Sequence, residues 1–174
     1  MFQEIAKVTA GVAAGMVGIA SIGNAVGRIF WAWVSDVLTR RWTFVTMFLL
    51  QVGLFWILPH TSSVAALAVL AFIVLMCYGG GFGTMPAFTA DYFGSKNVGP
   101  IYGLMLTAWG SASAFGPLLI AHLRQSSGSY TSGLHVIAGI MAVSMLLPIL
   151  VSAPKPDGAT FAKGVRAVPA MQSK

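Results

Sequence analysis

Long apolar runs separated by short polar breaks dominate this chain. Five runs stand out, at 10–34, 43–59, 64–86, 100–123 and 133–153. A helix crossing a bilayer needs about 20 mostly apolar residues, and all five qualify, the second at the short end unless Trp42 extends it. Turn-forming residues mark the breaks: Pro59-His60-Thr61-Ser62-Ser63, Phe93-Gly94-Ser95-Lys96-Asn97 and Gln125-Ser126-Ser127-Gly128-Ser129. From Pro154 the chain turns polar, with Pro, Gly and Lys, and 154–174 is expected to be a flexible tail. The pattern predicts an all-α integral membrane protein with five transmembrane helices.

Composition agrees. Hydrophobic residues make up 57% of the 174 and charged residues 8%, with a mean hydropathy of +0.83. A soluble domain carries roughly 25% charged residues because its surface must face water, so most of this surface must face a lipid bilayer. The net charge of +6 comes from basic residues scattered around apolar spans, which argues against a nucleic-acid partner. Lone Cys77 excludes an internal disulfide. The start MFQEIAKVTA lacks the basic segment of a secretory signal.

Loop charges set an expected orientation. Arg40, Arg41, Lys96, Lys155, Lys163, Arg166 and Lys174 fall on one side, against Lys7 and Arg124 on the other. Because cytoplasmic loops collect Lys and Arg, the C-terminus is expected inside and the N-terminus outside. An outside start with an odd number of spans, and the polar edge Phe2-Gln3-Glu4, suggest the tail of a longer chain.

Arg28 lies deep in the first run. A charge at mid-bilayer costs on the order of 2.5–3.5 kcal/mol by insertion scales, and such residues usually face a bundle interior or a wet cavity. An anion site is therefore the expectation. The structural alternatives are that Arg28 snorkels to the interface or locks helices by pairing with Asp36 or Asp91. Asp36 is eight positions on, just over two helical turns, so direct pairing along one straight helix is not expected.

The segment Gly27-Arg28-Ile29-Phe30-Trp31-Ala32-Trp33-Val34-Ser35-Asp36-Val37-Leu38-Thr39-Arg40-Arg41 resembles the cytoplasmic loop motif of the major facilitator superfamily. It departs from that motif at Ala32, Val37 and Thr39, where the superfamily favours Gly, a basic residue and Gly. In such a loop Asp36 can pair with a neighbouring helix N-terminus, while Arg40 and Arg41 hold the turn at an anionic leaflet. A second set, Tyr78-Gly79-Gly80-Gly81-Phe82-Gly83-Thr84-Met85-Pro86, Asp91-Tyr92-Phe93-Gly94, Tyr102-Gly103 and Phe115-Gly116, resembles the oxalate/formate antiporter-like carriers. The resemblance implies an incomplete C-terminal half of a twelve-helix fold, helices eight to twelve, whose partner is the missing N-terminal half of the same transporter.

In that family an eighth-helix Arg and an eleventh-helix Lys grip two carboxylates inside an aromatic cage. By resemblance the Arg falls on Arg28 and the Lys on Trp109. Cage positions fall on Tyr78, Phe82 and the non-aromatic Leu106. One cation with apolar walls suits a monocarboxylate, because oxalate would bury an unpaired charge at a cost of several kcal/mol. The implied function is a secondary carrier moving a small organic anion across a bacterial-type plasma membrane by alternating access. The alternative is a non-transporting membrane remnant or accessory subunit.

The remaining features point to less. Gly79-Gly80-Gly81 lies in a span and is no phosphate cradle. Gly11/Gly15, Gly79/Gly83 and Gly99/Gly103 are expected to let helices approach closely, and the third span could bend beside Pro86. Asp91 is expected to anchor a loop beside Lys96. His60, His122 and His135 sit at separate helix ends without ligand spacing, so no metal is assigned. Trp31, Trp33, Trp42 and Trp56 fit an aromatic belt. No Ser/His/Asp set or paired carboxylates suggest an enzyme, and no cofactor is expected.

Overall fold

The computed structural model describes residues 9–151. The tail at 154–174 and the loop charges Lys7, Lys155, Lys163, Arg166 and Lys174 lie outside the described residues. Helices α1 (Ala10–Leu38), α2 (Arg40–Ile57), α3 (Val64–Phe93), α4 (Val98–Ser127), α5 (Thr131–Ser144) and α6 (Leu146–Leu150) follow one another, with 3₁₀ turns at Leu58–His60 and Ser95–Asn97. With α5 and α6 counted as one bent span, five segments are long and apolar enough to cross a membrane. Their outward faces carry Ile29 at 78%, Leu104 at 70% and Phe115 at 70% exposure, a surface at home in acyl chains rather than water.

The helices outrun the apolar runs that announced them. Ser35, Asp36, Asp91 and Tyr92 lie inside α1 or α3, because a polar side chain at the membrane edge does not interrupt backbone hydrogen bonding. Backbone geometry ends the helices instead. Gly94 (φ 82°) follows α3, and Gly128 (φ 73°) closes α4 in the left-handed conformation. Between α1 and α2 a single residue reverses the chain: Thr39, at φ 99° and ψ 148°, a region nearly reserved for glycine. Pro148 lacks an N–H and its ring crowds the carbonyl four residues back, Ser144, where α5 stops. By contrast α3 runs through Pro86 and α4 through Pro117.

The most extensive packing joins α1 to α3. The buried positions of α1, Met16, Ala20, Gly23, Gly27, Trp31 and Ser35, recur every three or four residues and form one stripe. Glycines let the backbones meet. A Cβ at Gly27 would strike the Met76 backbone, one at Gly79 the Asn24 backbone, and one at Gly83 the Arg28 carbonyl. The expected close approach at Gly79/Gly83 is present. Gly11, Gly15, Gly99 and Gly103 face open space, because their faces are turned away from neighbouring helices. Trp31 is also not in a belt: it is 3% exposed and fills the notch left by Gly80. Two core clusters flank this seam, one of Met16, Leu58, Leu67 and Leu134, the other of Trp31, Phe44, Met47 and Cys77. The buried hydroxyls of Thr43, Thr84 and Thr89 donate to the carbonyls of Thr39, Gly80 and Met85 four residues back, which satisfies them inside the bundle.

Candidate functional site

Three helices each turn one face toward a common cavity of about 270 Å³, and α5 adds Met141. From α2 come Phe44, Met47, Phe48 and Gln51; from α3 Cys77, Tyr78, Gly81, Phe82 and Met85; from α4 Tyr102, Met105, Leu106 and Trp109. The three- and four-residue spacing on each helix is that of a single helical face. The walls are aromatic and thioether-rich, with few polar atoms.

Four of the five residues singled out from sequence for a ligand line this cavity: Tyr78, Phe82, Leu106 and Trp109. The Trp109 indole Nε1 donates to the Tyr78 phenolic oxygen at 2.6 Å, leaving the Tyr78 O–H available as a donor. Phe82 stands edge-on between them, its centroid 5.2 Å from Tyr78 and 5.6 Å from Trp109, both T-shaped arrangements favoured by ring quadrupoles. Arg28 reaches this group from α1. Its Cζ lies 5.9 Å from the Phe82 centroid, at the outer limit of a cation–π contact. Arg28 does not itself line the cavity; Phe82 stands between them. Among the described residues no carboxylate makes an ion pair with Arg28.

Both aspartates that could have held Arg28 belong to another group. Arg40, the first residue of α2, pairs with Asp36 at 2.6 Å and with Asp91 at 2.9 Å, and also donates to the Ser35 hydroxyl. It thus ties the ends of α1, α2 and α3 together. Asp36 therefore meets the neighbouring helix through the Arg40 side chain, and Asp91 is bound by Arg40 rather than by Lys96. Arg41 donates to the Val151 carbonyl at 2.9 Å, just beyond the C-terminus of α6, where the helix dipole favours a cation.

Sequence reasoning missed two things. The first is the α2 wall of the cavity, and Gln51 in particular. This residue is 9% exposed and its side-chain Oε1 is enclosed without a hydrogen-bond partner among the described residues, a state that costs about 1–3 kcal/mol. The available signal was an amide inside an apolar span, which marks function in membranes. The second is that His60 and His135 come together, with ring centroids 5.9 Å apart, while Trp56 stacks on His135 at 4.4 Å.

Five membrane-length helices, with an apolar cavity between four of them and a cation at its margin, define a multi-pass helical membrane protein. The sequence profile of the Major Facilitator Superfamily matches residues 1–171, and the chain belongs to that superfamily. It is 31% identical over 131 residues to the oxalate:formate antiporter of Oxalobacter formigenes, covering 70% of this chain and 31% of that protein. To the sialic acid transporter NanX of Escherichia coli (strain K12) it is 31% identical over 137 residues, 76% of this chain and 33% of that one. With the apicoplast pyruvate carrier 2 of Toxoplasma gondii it shares 35% identity over 77 residues, 44% of this chain and 11% of that one. The chain thus spans a third or less of the length of these relatives.

Proposed function

We propose that this chain supplies part of a secondary carrier for a small organic anion, a monocarboxylate, working by alternating access in a plasma membrane. Arg28 provides the positive charge and Tyr78, Phe82, Leu106 and Trp109 provide the walls. In this reading the five spans are the eighth to twelfth of twelve, the C-terminal end is cytoplasmic, and helices outside this chain complete the path. The observation that carries it is the placement of Arg28: a cation within a span, without a carboxylate partner among the described residues, against the aromatic group that lines the cavity. A membrane-embedded cation without a counter-ion fits a site whose counter-ion is the cargo. The names of the three relatives give pyruvate, oxalate, formate and sialic acid as their substrates, all carboxylates. Trp109, bonded to Tyr78, leaves that flank without a second charge, which favours one carboxylate over two. Helix α4 buries none of its residues, as expected of a helix whose other face meets helices beyond this chain.

The test is ligand-dependent thermal stabilisation of the purified whole carrier by a panel of organic anions. Arg28→Lys should bind more weakly, since it replaces a two-pronged contact with a point charge. Arg28→Ala should lose about 2 kcal/mol or more, the cost of leaving a bound carboxylate unpaired, which is roughly thirtyfold in affinity. Wild-type stabilisation of Arg28→Ala by every anion that protects the parent would make Arg28 structural and remove the anion reading.

A further inference from the structure

We propose that Gln51 is the residue by which this cavity distinguishes monocarboxylates carrying a second oxygen at carbon 2 (2-hydroxy and 2-oxo acids) from plain alkanoates. The inference rests on the anion reading above and sharpens its substrate class.

Gln51 shares the cavity-lining face of α2 with Phe44, Met47 and Phe48, so it interrupts an apolar wall with one amide. It is 9% exposed, and its Oε1 has no partner among the described residues. A structural amide within a helix bundle ordinarily bonds across to a neighbouring helix; this one bonds to none of the described helices. Asn24 provides the contrast. Its Oδ1 is also unpaired, but it sits in the α1–α3 seam against Gly79 and is absent from the cavity wall. Of the other polar groups on the wall, Tyr78 accepts from Trp109 and keeps its O–H as a donor, and Tyr102 carries a second phenol. Gln51 differs from both in that its oxygen is enclosed and without a partner among the described residues, and a half-turn of the amide about its terminal bond presents either the oxygen or the N–H₂ to the cavity.

The chemistry of the amide sets the ligand class. A primary amide presents an acceptor oxygen and two N–H donors on one flat group. A 2-hydroxy acid can donate its O–H to the oxygen, and a 2-oxo acid can accept from the N–H. An alkanoate of equal shape does neither and leaves the amide unsatisfied, so it is disfavoured on binding. A cavity of about 270 Å³ is ample for such a small acid, given that one water occupies roughly 30 Å³ of liquid.

The experiment compares shape-matched acids by competition binding to the whole carrier in lipid nanodiscs. Pyruvate is paired with methacrylate, which replaces C=O by C=CH₂, and lactate with isobutyrate, which replaces O–H by CH₃. The wild type should prefer the oxygenated member of each pair by roughly tenfold, the scale of one buried hydrogen bond. In Gln51→Leu the ratios should collapse toward one through weaker binding of the oxygenated acids. Methacrylate and isobutyrate should bind as well as before, and the ligand-free melting point should not fall. Gln51→Met, of similar length, serves as the second variant. Ratios unchanged in these variants, or a wild type that does not discriminate, would overturn the proposal. So would failure of both variants to insert, which would make Gln51 structural. If none of the four acids binds the wild type, the anion reading itself falls; if all bind and the ratios stay put, only the role of Gln51 falls.

Discussion

Thr39 offers a sharp test of how the α1–α2 turn is built. Its φ of 99° with ψ 148° lies where a Cβ clashes with the backbone, and holding a non-glycine residue there costs about 1–3 kcal/mol. Its side chain gives nothing back as a helix cap, since it makes no capping hydrogen bond to α2. What Thr39 does contribute is its carbonyl, which accepts from the Thr43 N–H at 3.1 Å and the Thr43 hydroxyl at 2.9 Å, and any residue keeps that. Thr39→Gly removes the clash and adds about 0.5–1 kcal/mol of chain entropy to the unfolded state. The net expectation is a stabilisation of about 1 kcal/mol, or roughly 2–4 °C in melting temperature for a chain of this size. Thr39→Ala keeps the Cβ and should shift the melt little. Thermal scans of the three proteins in one detergent decide the matter. A Thr39→Gly protein that melts at or below wild type, with Thr39→Ala unchanged, would show that the turn is not strained and that the geometry assigned to Thr39 is wrong. A glycine at this position is what the superfamily favours, so the expected gain also gives a physical reason for that preference.

Three further expectations follow from the packing and the cavity. Gly79→Ala should destabilise by about 1–3 kcal/mol, because its Cβ meets the Asn24 backbone. Gly139→Ala, with open space at its Cβ, should be neutral or stabilising by up to about 1 kcal/mol from helix propensity; melting curves that rank the two the other way would refute the seam. Trp109→Lys in the whole carrier should move binding preference from monocarboxylates toward dicarboxylates, read by competition with acetate and oxalate, and an unmoved preference in an inserted protein would place Trp109 away from the ligand. Cysteines introduced at Ser62 or Ser127 should react with an impermeant reagent applied outside the cell and one at Ser95 should not; labelling of Ser95 would reverse the proposed orientation.

The spans were legible because a bilayer imposes a run of apolar residues, and nothing else in this chain produces such runs. Their ends were not, since Ser35, Asp36, Asp91 and Tyr92 are polar yet stay helical, and hydropathy reports the edge of the lipid rather than the end of hydrogen bonding. Asp36 and Arg40 are four positions apart, so their proximity follows from helical spacing. The link from Arg40 to Asp91 depends on how α2 packs against α3, which no local pattern encodes. The same limit explains the tryptophans and glycines. Trp31 and Trp33 sit near the same span end, but Trp31 faces α3 while Trp33 is 64% exposed. Gly23 and Gly27 meet α3 and Gly11 and Gly15 meet nothing, although all four lie on one helix. Residues carried by the family resemblance, Tyr78, Phe82, Leu106 and Trp109, do converge on one cavity. Gln51 carried no such resemblance and emerged only from the packing.

The glycine seam between α1 and α3 has a mechanical consequence. Where two backbones touch without long side chains between them, there is little compliant material to shear, so the two helices behave as one stiff beam. Arg28 on α1 and Phe82 on α3 then keep a fixed separation through any rearrangement of the bundle. Displacement at the cavity is left to the walls outside the beam, α2 and α4, of which α4 buries no residue and is fastened to the beam near its middle through the Tyr78–Trp109 hydrogen bond and the Phe82–Trp109 ring contact. A swing of α4 away from the beam would strain that 2.6 Å bond early, which makes Trp109 fluorescence a natural gauge of cavity opening.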